Sequence, residues 1–160
     1  KSDSQTPAAL VSRNKGVIDH CFVQNSAVVS QYNACTGGLA GLNEGWISHC
    51  GVEGGSVACK SAYSTKIGGF VGRNLGRIDQ CFATASVSGA KWVGGFAGGQ
   101  EGGTISNCYA LGTVTATGDA AGGFTGFSGI VSIHFNFSVL LNIAVIMICS
   151  PVSQHFFTIF

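Results

Sequence analysis

Charge is what this chain has least of. Only 9% of its 160 residues are Asp, Glu, Lys or Arg, against about 25% in an ordinary globular domain. Eight basic residues nearly cancel seven acidic ones, leaving a formal charge of +1. That balance excludes the electrostatic footprint of a nucleic-acid binder, and the lack of a Lys/Arg cluster argues against an anionic membrane surface. The carboxylates are Asp3, Asp19, Glu44, Glu53, Asp79, Glu101 and Asp119. So sparse a set does not supply the converging acids that a carbohydrate-cleaving groove needs. No catalytic residue is therefore assigned, and the chain is expected not to be an enzyme. No Gly-Lys-Ser/Thr follows a glycine pair, which excludes a phosphate loop. No Asp recurs at regular offsets after those pairs, which excludes a calcium-binding nonapeptide repeat. No charged-then-apolar leader opens at Lys1; a signal peptide, if the chain has one, lies outside these residues.

Glycine is abundant instead, at 25 residues, about twice the usual share of roughly 7%. The glycines belong to a unit that restarts. Gly94-Gly95-Phe96-Ala97-Gly98 turns through a Gly/Gln/Glu-rich loop into Thr104-Ile105-Ser106-Asn107-Cys108-Tyr109-Ala110 and then Gly112-Thr113-Val114, and the unit begins again at Gly122-Gly123-Phe124-Thr125-Gly126. Upstream copies read Gly68-Gly69-Phe70-Val71-Gly72 to Cys81-Phe82-Ala83, and Gly37-Gly38-Leu39-Ala40-Gly41 to Cys50. A truncated first copy runs from Arg13 to Val23. Cys21, Cys50, Cys81 and Cys108 follow one another at 29, 31 and 27 residues. A period that drifts by a few residues fits a solenoid with variable loops and constant strands.

These residues resemble the GLUG motif repeats of bacterial surface proteins. The family pattern is close to Gly-Gly-hydrophobic-x-Gly-x-Asn-x-Gly-x-Ile-x-Asn-Cys-Tyr-Ala followed by Gly-x-Val, and the likeness covers about residues 9 to 127. It implies an extended stalk or passenger segment of an adhesin-like, haemagglutinin-like or IgA-protease surface protein. The location implied is extracellular or cell-surface. The implied partners are a host-surface or matrix glycan or protein and the remainder of a larger surface protein. The His-Glu-x-x-His motif of the family's metallopeptidase members is absent.

Low charge, few prolines and abundant Gly, Ser, Thr and Val lead to an all-β fold, a right-handed parallel β-helix or related β-roll of four to five coils. Residues 1–8 are a polar lead-in, 9–127 the solenoid and 128–160 an apolar C-terminal segment. Each repeat offers three strand-like pieces. Asn14-Lys15-Gly16, Asn43-Glu44-Gly45 and Asn74-Leu75-Gly76 are expected to make left-handed corners, and the longer Gln100-Glu101-Gly102-Gly103 should differ. Cys81, Ala83, Ala85 and Val87 share one face under period two, as do Cys108, Ala110, Gly112 and Val114. For Ile78 and Cys81 both to face inward the chain must bend at the polar pair between them. The corresponding pairs Asp19-His20, Ser48-His49, Asp79-Gln80 and Ser106-Asn107 are thus expected as an exposed corner, with Phe22, Phe82 and Tyr109 stacked in a column outside or against a flanking segment. A longer loop is expected from Gly51 to Lys66, as the place for any specific contact.

Four stacked cysteines form a column, not a tetrahedron, so Cys21, Cys50, Cys81 and Cys108 are expected as small buried hydrophobes with no metal. Cys35 and Cys59 are the better disulfide candidates. His20 and His49 are expected to stack at the corner; as metal ligands they lack a third partner, and neither metal nor cofactor is assigned. Asp19 and Asp79 fall two coils apart with Ser48 between, about 9.6 Å by the strand spacing, which suits an inverting glycosidase on paper but has no supporting third residue. A carbohydrate-active β-helix protein that binds or cleaves polysaccharide is the alternative function. An ice-binding surface would need Thr-x-Thr on successive coils, and only Thr113, Thr115 and Thr117 supply it. In the last segment, Val131 to Val139 alternates apolar and polar residues and Leu140 to Cys149 is nearly all apolar. That segment reads first as a cap over the open solenoid end, and otherwise as a membrane-seeking tail or a degenerate terminus.

Overall fold

The structure is a computed structural model that describes residues 6–32, 35–63, 65–129 and 132–134. Parallel strands stack into a β-solenoid of about four coils, and no helix occurs among the described residues. Each full coil contributes to five short sheets, more than the three strand-like pieces that the sequence suggests. The paired-glycine sheet holds Thr36–Gly37, Ile67–Gly68, Val93–Gly94 and Ala121–Gly122. The amide sheet holds Val11–Asn14, Ala40–Asn43, Val71–Asn74, Ala97–Gln100 and Thr125–Ser128. The isoleucine sheet follows with Val17–Asp19, Trp46–Ser48, Arg77–Asp79, Thr104–Ser106 and Ser132–His134. The aromatic sheet contains Phe22–Gln24, Gly51–Glu53, Phe82–Ala83 and Tyr109–Ala110. The valine sheet closes the coil with Ala27–Ser30, Ser56–Cys59, Ser86–Gly89 and Val114–Ala116.

Equivalent residues pair across coils, so the interior is a set of columns. Ile18, Ile47, Ile78 and Ile105 align, and the last three are fully buried. Phe70, Phe96 and Phe124 stack ring on ring at 4.6 and 4.9 Å, continuing the position of Leu39. The alternation read from the sequence holds: Cys81, Ala83, Ala85 and Val87 are all at most 2% exposed. The paired glycines have a packing cause. A Cβ on Gly38, Gly69 or Gly95 would overlap the carbonyl oxygen of Gly69, Gly95 or Gly123 in the next coil, so only a residue without Cβ lets the coils approach.

The corner chemistry differs from the sequence expectation. Asn14, Asn43 and Asn74 are not left-handed; the non-glycine residues with φ near +50° include His20, His49, Gln80 and Asn107, one residue before each ladder cysteine. His and Asn are among the side chains enriched in that region. Lys66, Trp92 and Ala120 make a second left-handed corner before the paired-glycine sheet. Asn14, Asn43 and Asn74 are buried instead. Their amides form a ladder, Asn14 Nδ2 to Asn43 Oδ1, Asn43 Nδ2 to Asn74 Oδ1 and Asn74 Nδ2 to Gln100 Oε1, each at 2.8 Å. Gln100 replaces Asn in the longer fourth copy, and Gly103 there takes φ +64°, so that corner does differ.

The expected long loop is shorter. Gly51–Glu53 and Ser56–Cys59 are ordinary strands, and the extra residues are 60–66. Ser132–His134 does not fold across the solenoid end. It pairs parallel with Thr104–Ser106 and starts a fifth coil. Residues 135–160, which carry most of the cap or membrane-tail expectation, lie outside the described residues. Among the described residues no helix is long and apolar enough to cross a membrane.

Candidate functional site

The polar corner between the isoleucine and aromatic sheets gathers a cluster of seven hydrogen-bonding side chains, Asp19, His20, Ser48, His49, Asp79, Ser106 and Asn107. In the register of the isoleucine sheet, Asp19, Ser48, Asp79 and Ser106 occupy one station on successive coils. Ser48 Oγ donates to Asp19 Oδ1 at 2.8 Å, and Ser106 Oγ donates to Asp79 Oδ1 at 2.6 Å. The next residue on each coil is left-handed, which turns its side chain back toward that station. His49 Nδ1 lies 2.9 Å from Asp19 Oδ1, and His20 Nδ1 lies 2.8 Å from Asp19 Oδ2. The two imidazoles stack with centroids 4.7 Å apart, as the sequence leads one to expect. Asn107 Nδ2 donates to Asp79 Oδ1 at 3.0 Å, an amide version of the same contact.

Electrostatics follow from this geometry. Hydrogen bonds from His49, Ser48 and His20 hold the Asp19 carboxyl far below the usual carboxylate range. The Asp19 carboxylate in turn raises His49 above an ordinary imidazole. Asp19 and Asp79 each have their own partners and are separated by Ser48, so they do not face a common centre.

On either side of the corner stand outward-facing aromatic groups. Phe82 stacks on Tyr109 at 5.5 Å and lies 6.3 Å from Phe22 across Gly51. Phe22 is 59% exposed. On the isoleucine sheet the Arg77 guanidinium lies over the exposed Trp46 ring at 5.3 Å. The outer aromatic column foreseen in the sequence is therefore present, with a gap at Gly51.

The cysteine ladder is a packing device. The Cys21, Cys50 and Cys81 N–H groups donate to Cys50, Cys81 and Cys108 Sγ at 3.3, 3.4 and 3.4 Å. The Cys108 thiol beside it, then burial, push the Cys81 thiol up to about 12. The neighbouring Cys81 thiol and burial raise Cys50 further still. Neutral thiols are poor nucleophiles and poor metal ligands. Cys35 and Cys59, the disulfide candidates, are both free thiols; the Cys59 thiol donates to the Tyr32 carbonyl at 3.2 Å. Thr115 neighbours Ser88, which neighbours Ala58, so the threonines make no ladder across coils. A shallow pocket of about 330 Å³ lies beside the 60–66 loop, lined by Lys60, Ser61, Ser88, Thr115 and Thr117 among others.

Sequence reading missed two features. Asp19 adjoins His20 in the chain and was readable as its partner, but only stacking brings His49 to the same carboxylate. The burial of Asn43 and Asn74 carried no signal separable from a turn-forming Asn-x-Gly.

A family model for the GLUG motif matches residues 63–88 and 90–115. Neither a curated protein nor a solved structure matches the chain. Each matched stretch runs through the paired-glycine, amide, isoleucine and aromatic sheets and into the valine sheet, so one motif is one coil. Residues 63–88 and 90–115 are thus two consecutive GLUG-motif repeats, each forming one coil of the solenoid.

Proposed function

We propose that this chain is a non-catalytic spacer and adhesion segment of a bacterial cell-surface or secreted protein. Its contact face is the outer column of Phe22, Phe82 and Tyr109, and the partner is a host-surface or matrix glycan or glycoprotein. One observation carries the reading: exposed rings held at fixed spacing on a rigid stack beside a corner rich in hydrogen-bonding groups. Aromatic faces with nearby polar side chains suit ligands that have both apolar and hydroxyl surfaces. The near-zero net charge supports an uncharged partner over nucleic acid. The stalk role draws on in-register stacking, which turns each added motif into length.

The test is binding of the purified chain to glycan and matrix-protein arrays, with a Phe82→Ser, Tyr109→Ser double variant alongside. Both rings are partly solvent-facing, so the variant should keep its β signal and lose binding at least tenfold. Undiminished binding by the variant would remove the aromatic column from the reading; no binding by either protein would leave a spacer alone. Polysaccharide binding or cleavage is the second reading, favoured by the same rings. Release of reducing ends from a polysaccharide bound by the chain would replace the first reading with it.

A further inference from the structure

The polar corner is built twice, and the two versions differ in a telling way. In the later version, Asp79 accepts from Ser106 Oγ and Asn107 Nδ2. In the earlier version, Asp19 accepts from Ser48 Oγ, and the place of Asn107 is taken by His49. The residue at the same corner one coil earlier is Gln80 in the later version and His20 in the earlier. All four corner residues are left-handed, with φ between 50° and 53°. Gln80 and Asn107 show that the backbone corner is satisfied without imidazoles. The two histidines thus add something that the fold does not require.

They add nitrogen donors around one carboxylate. One ligand atom from each of Asp19, His20 and His49 lies within 4.8 Å of the other two. The nitrogen-to-carboxylate separations are already 2.8 and 2.9 Å. A tetrahedral ion with bonds of about 2.0–2.1 Å holds its ligand atoms roughly 3.3 Å apart, so the set closes on an ion by small rotations of exposed side chains. The Ser48 hydroxyl on Asp19 Oδ1 fixes the carboxylate, as outer hydrogen bonds do in metal centres. Two imidazoles and a carboxylate are donors that suit zinc, copper and nickel over magnesium or calcium.

From this arrangement we infer that Asp19, His20 and His49 form a surface site for a divalent transition-metal ion such as Zn²⁺ or Cu²⁺, bound through both imidazoles and the carboxylate. Solvent completes the coordination on the exposed side. The earlier corner is a metal-binding version of a structural device that the later corner uses without metal.

The experiment uses the whole chain without a polyhistidine tag. Zn²⁺ is titrated calorimetrically and Cu²⁺ is followed by electron paramagnetic resonance. The expected result is one saturable ion per chain, a copper spectrum with nitrogen hyperfine splitting, and a melting temperature that rises with Zn²⁺. His49→Asn and His20→Gln install the later corner's own side chains, so both should fold; each should weaken binding at least tenfold and abolish the Zn²⁺-dependent rise. Cys21→Ser should bind as the parent does. The proposal is overturned if no stoichiometric binding is found, if the two histidine variants bind unchanged, or if Cys21→Ser is the variant that loses the ion.

Discussion

Asn74 shows how much a single polar residue carries here. It is completely buried, donates to Gln100, accepts from Asn43, and closes its own turn by accepting from the Gly76 N–H and donating to the Gly76 carbonyl. Replacing it with Val removes one rung, takes from the Asn43 amide its 2.8 Å acceptor and takes from the buried Gln100 side-chain carbonyl its Asn74 donor. Each unsatisfied buried group costs about 1–3 kcal/mol, so Asn74→Val should destabilise by about 3 kcal/mol or more. Leu75 next to it is half-buried and makes no ladder contact, so Leu75→Ser should cost about 1 kcal/mol or less. Denaturant midpoints of the two variants check this, and equal midpoints would count against the ladder. Glu101 is the corresponding charged case. Burial raises its pKa, but Lys66 at 2.8 Å and Arg73 at 2.5 Å outweigh burial and bring it below the ordinary value of 4.5. A carboxylate with a depressed folded pKa stabilises above its unfolded value, and that contribution is lost as pH falls through the lower folded value. Acidifying from about pH 5 to pH 3 should therefore lower the melting temperature of the parent more than that of Glu101→Gln. At neutral pH the variant should already be about 1 kcal/mol less stable. Parallel slopes for the two proteins would refute the assignment.

At the scale of the element, each strand is two to four residues long and has little stability of its own. What holds it is the coil above and below, and the glycine pairs set how close those coils come. Gly69→Ala should drive a methyl into the Gly95 carbonyl. Backbone on both sides cannot yield locally, so a loss of about 3 kcal/mol is expected, at the upper end of overpacking costs. Gly102→Ala is the control. Its added methyl would meet nothing closer than 3.6 Å, and the change should stay within about 0.5 kcal/mol. Thermal melts of the two variants separate a steric role for the paired glycines from a merely flexible one. The corner elements obey a different rule. Left-handed positions fall on His20, His49, Gln80 and Asn107 because the chain must reverse the parity of Ile and Cys there, and from that point the His20, His49 and Asn107 side chains reach a neighbouring carboxylate.

For the whole molecule, stability is shared among coils, and the ends are where the sharing stops. Ser132–His134 covers the edge of Thr104–Ser106 in register. Removing residues 129–160 uncovers that edge, and a bare parallel edge invites pairing with another chain. The truncated chain should keep its far-UV β signal and form larger species with rising concentration, measured by light scattering after size exclusion. Unchanged size would mean that the fifth-coil start does not protect the end. Higher solubility after truncation, together with loss of a detergent dependence that the intact chain shows, would favour the membrane-tail reading of the last segment.

The amino-acid sequence by itself determined the period, the shared inner face of Cys81, Ala83, Ala85 and Val87, and the inward Ile and Cys columns. Those depend on chemistry that every copy repeats: Ile, Cys and small residues at fixed offsets leave one stacking solution. The inward Ile-to-Cys bend, the outer aromatic column and the stacked histidines were all legible for that reason. The tertiary structure alone decided which corner is left-handed, that Asn14, Asn43 and Asn74 are buried rungs, that Phe70, Phe96 and Phe124 form an inner stack, and that Asp19 reaches both His20 and His49. An Asn before x-Gly has the same local preference in a turn as in a ladder, so only a neighbouring coil tells them apart. Asp19 and His49 are 30 residues apart in the chain. Register is a relation between coils, and it exists only once the coils are stacked.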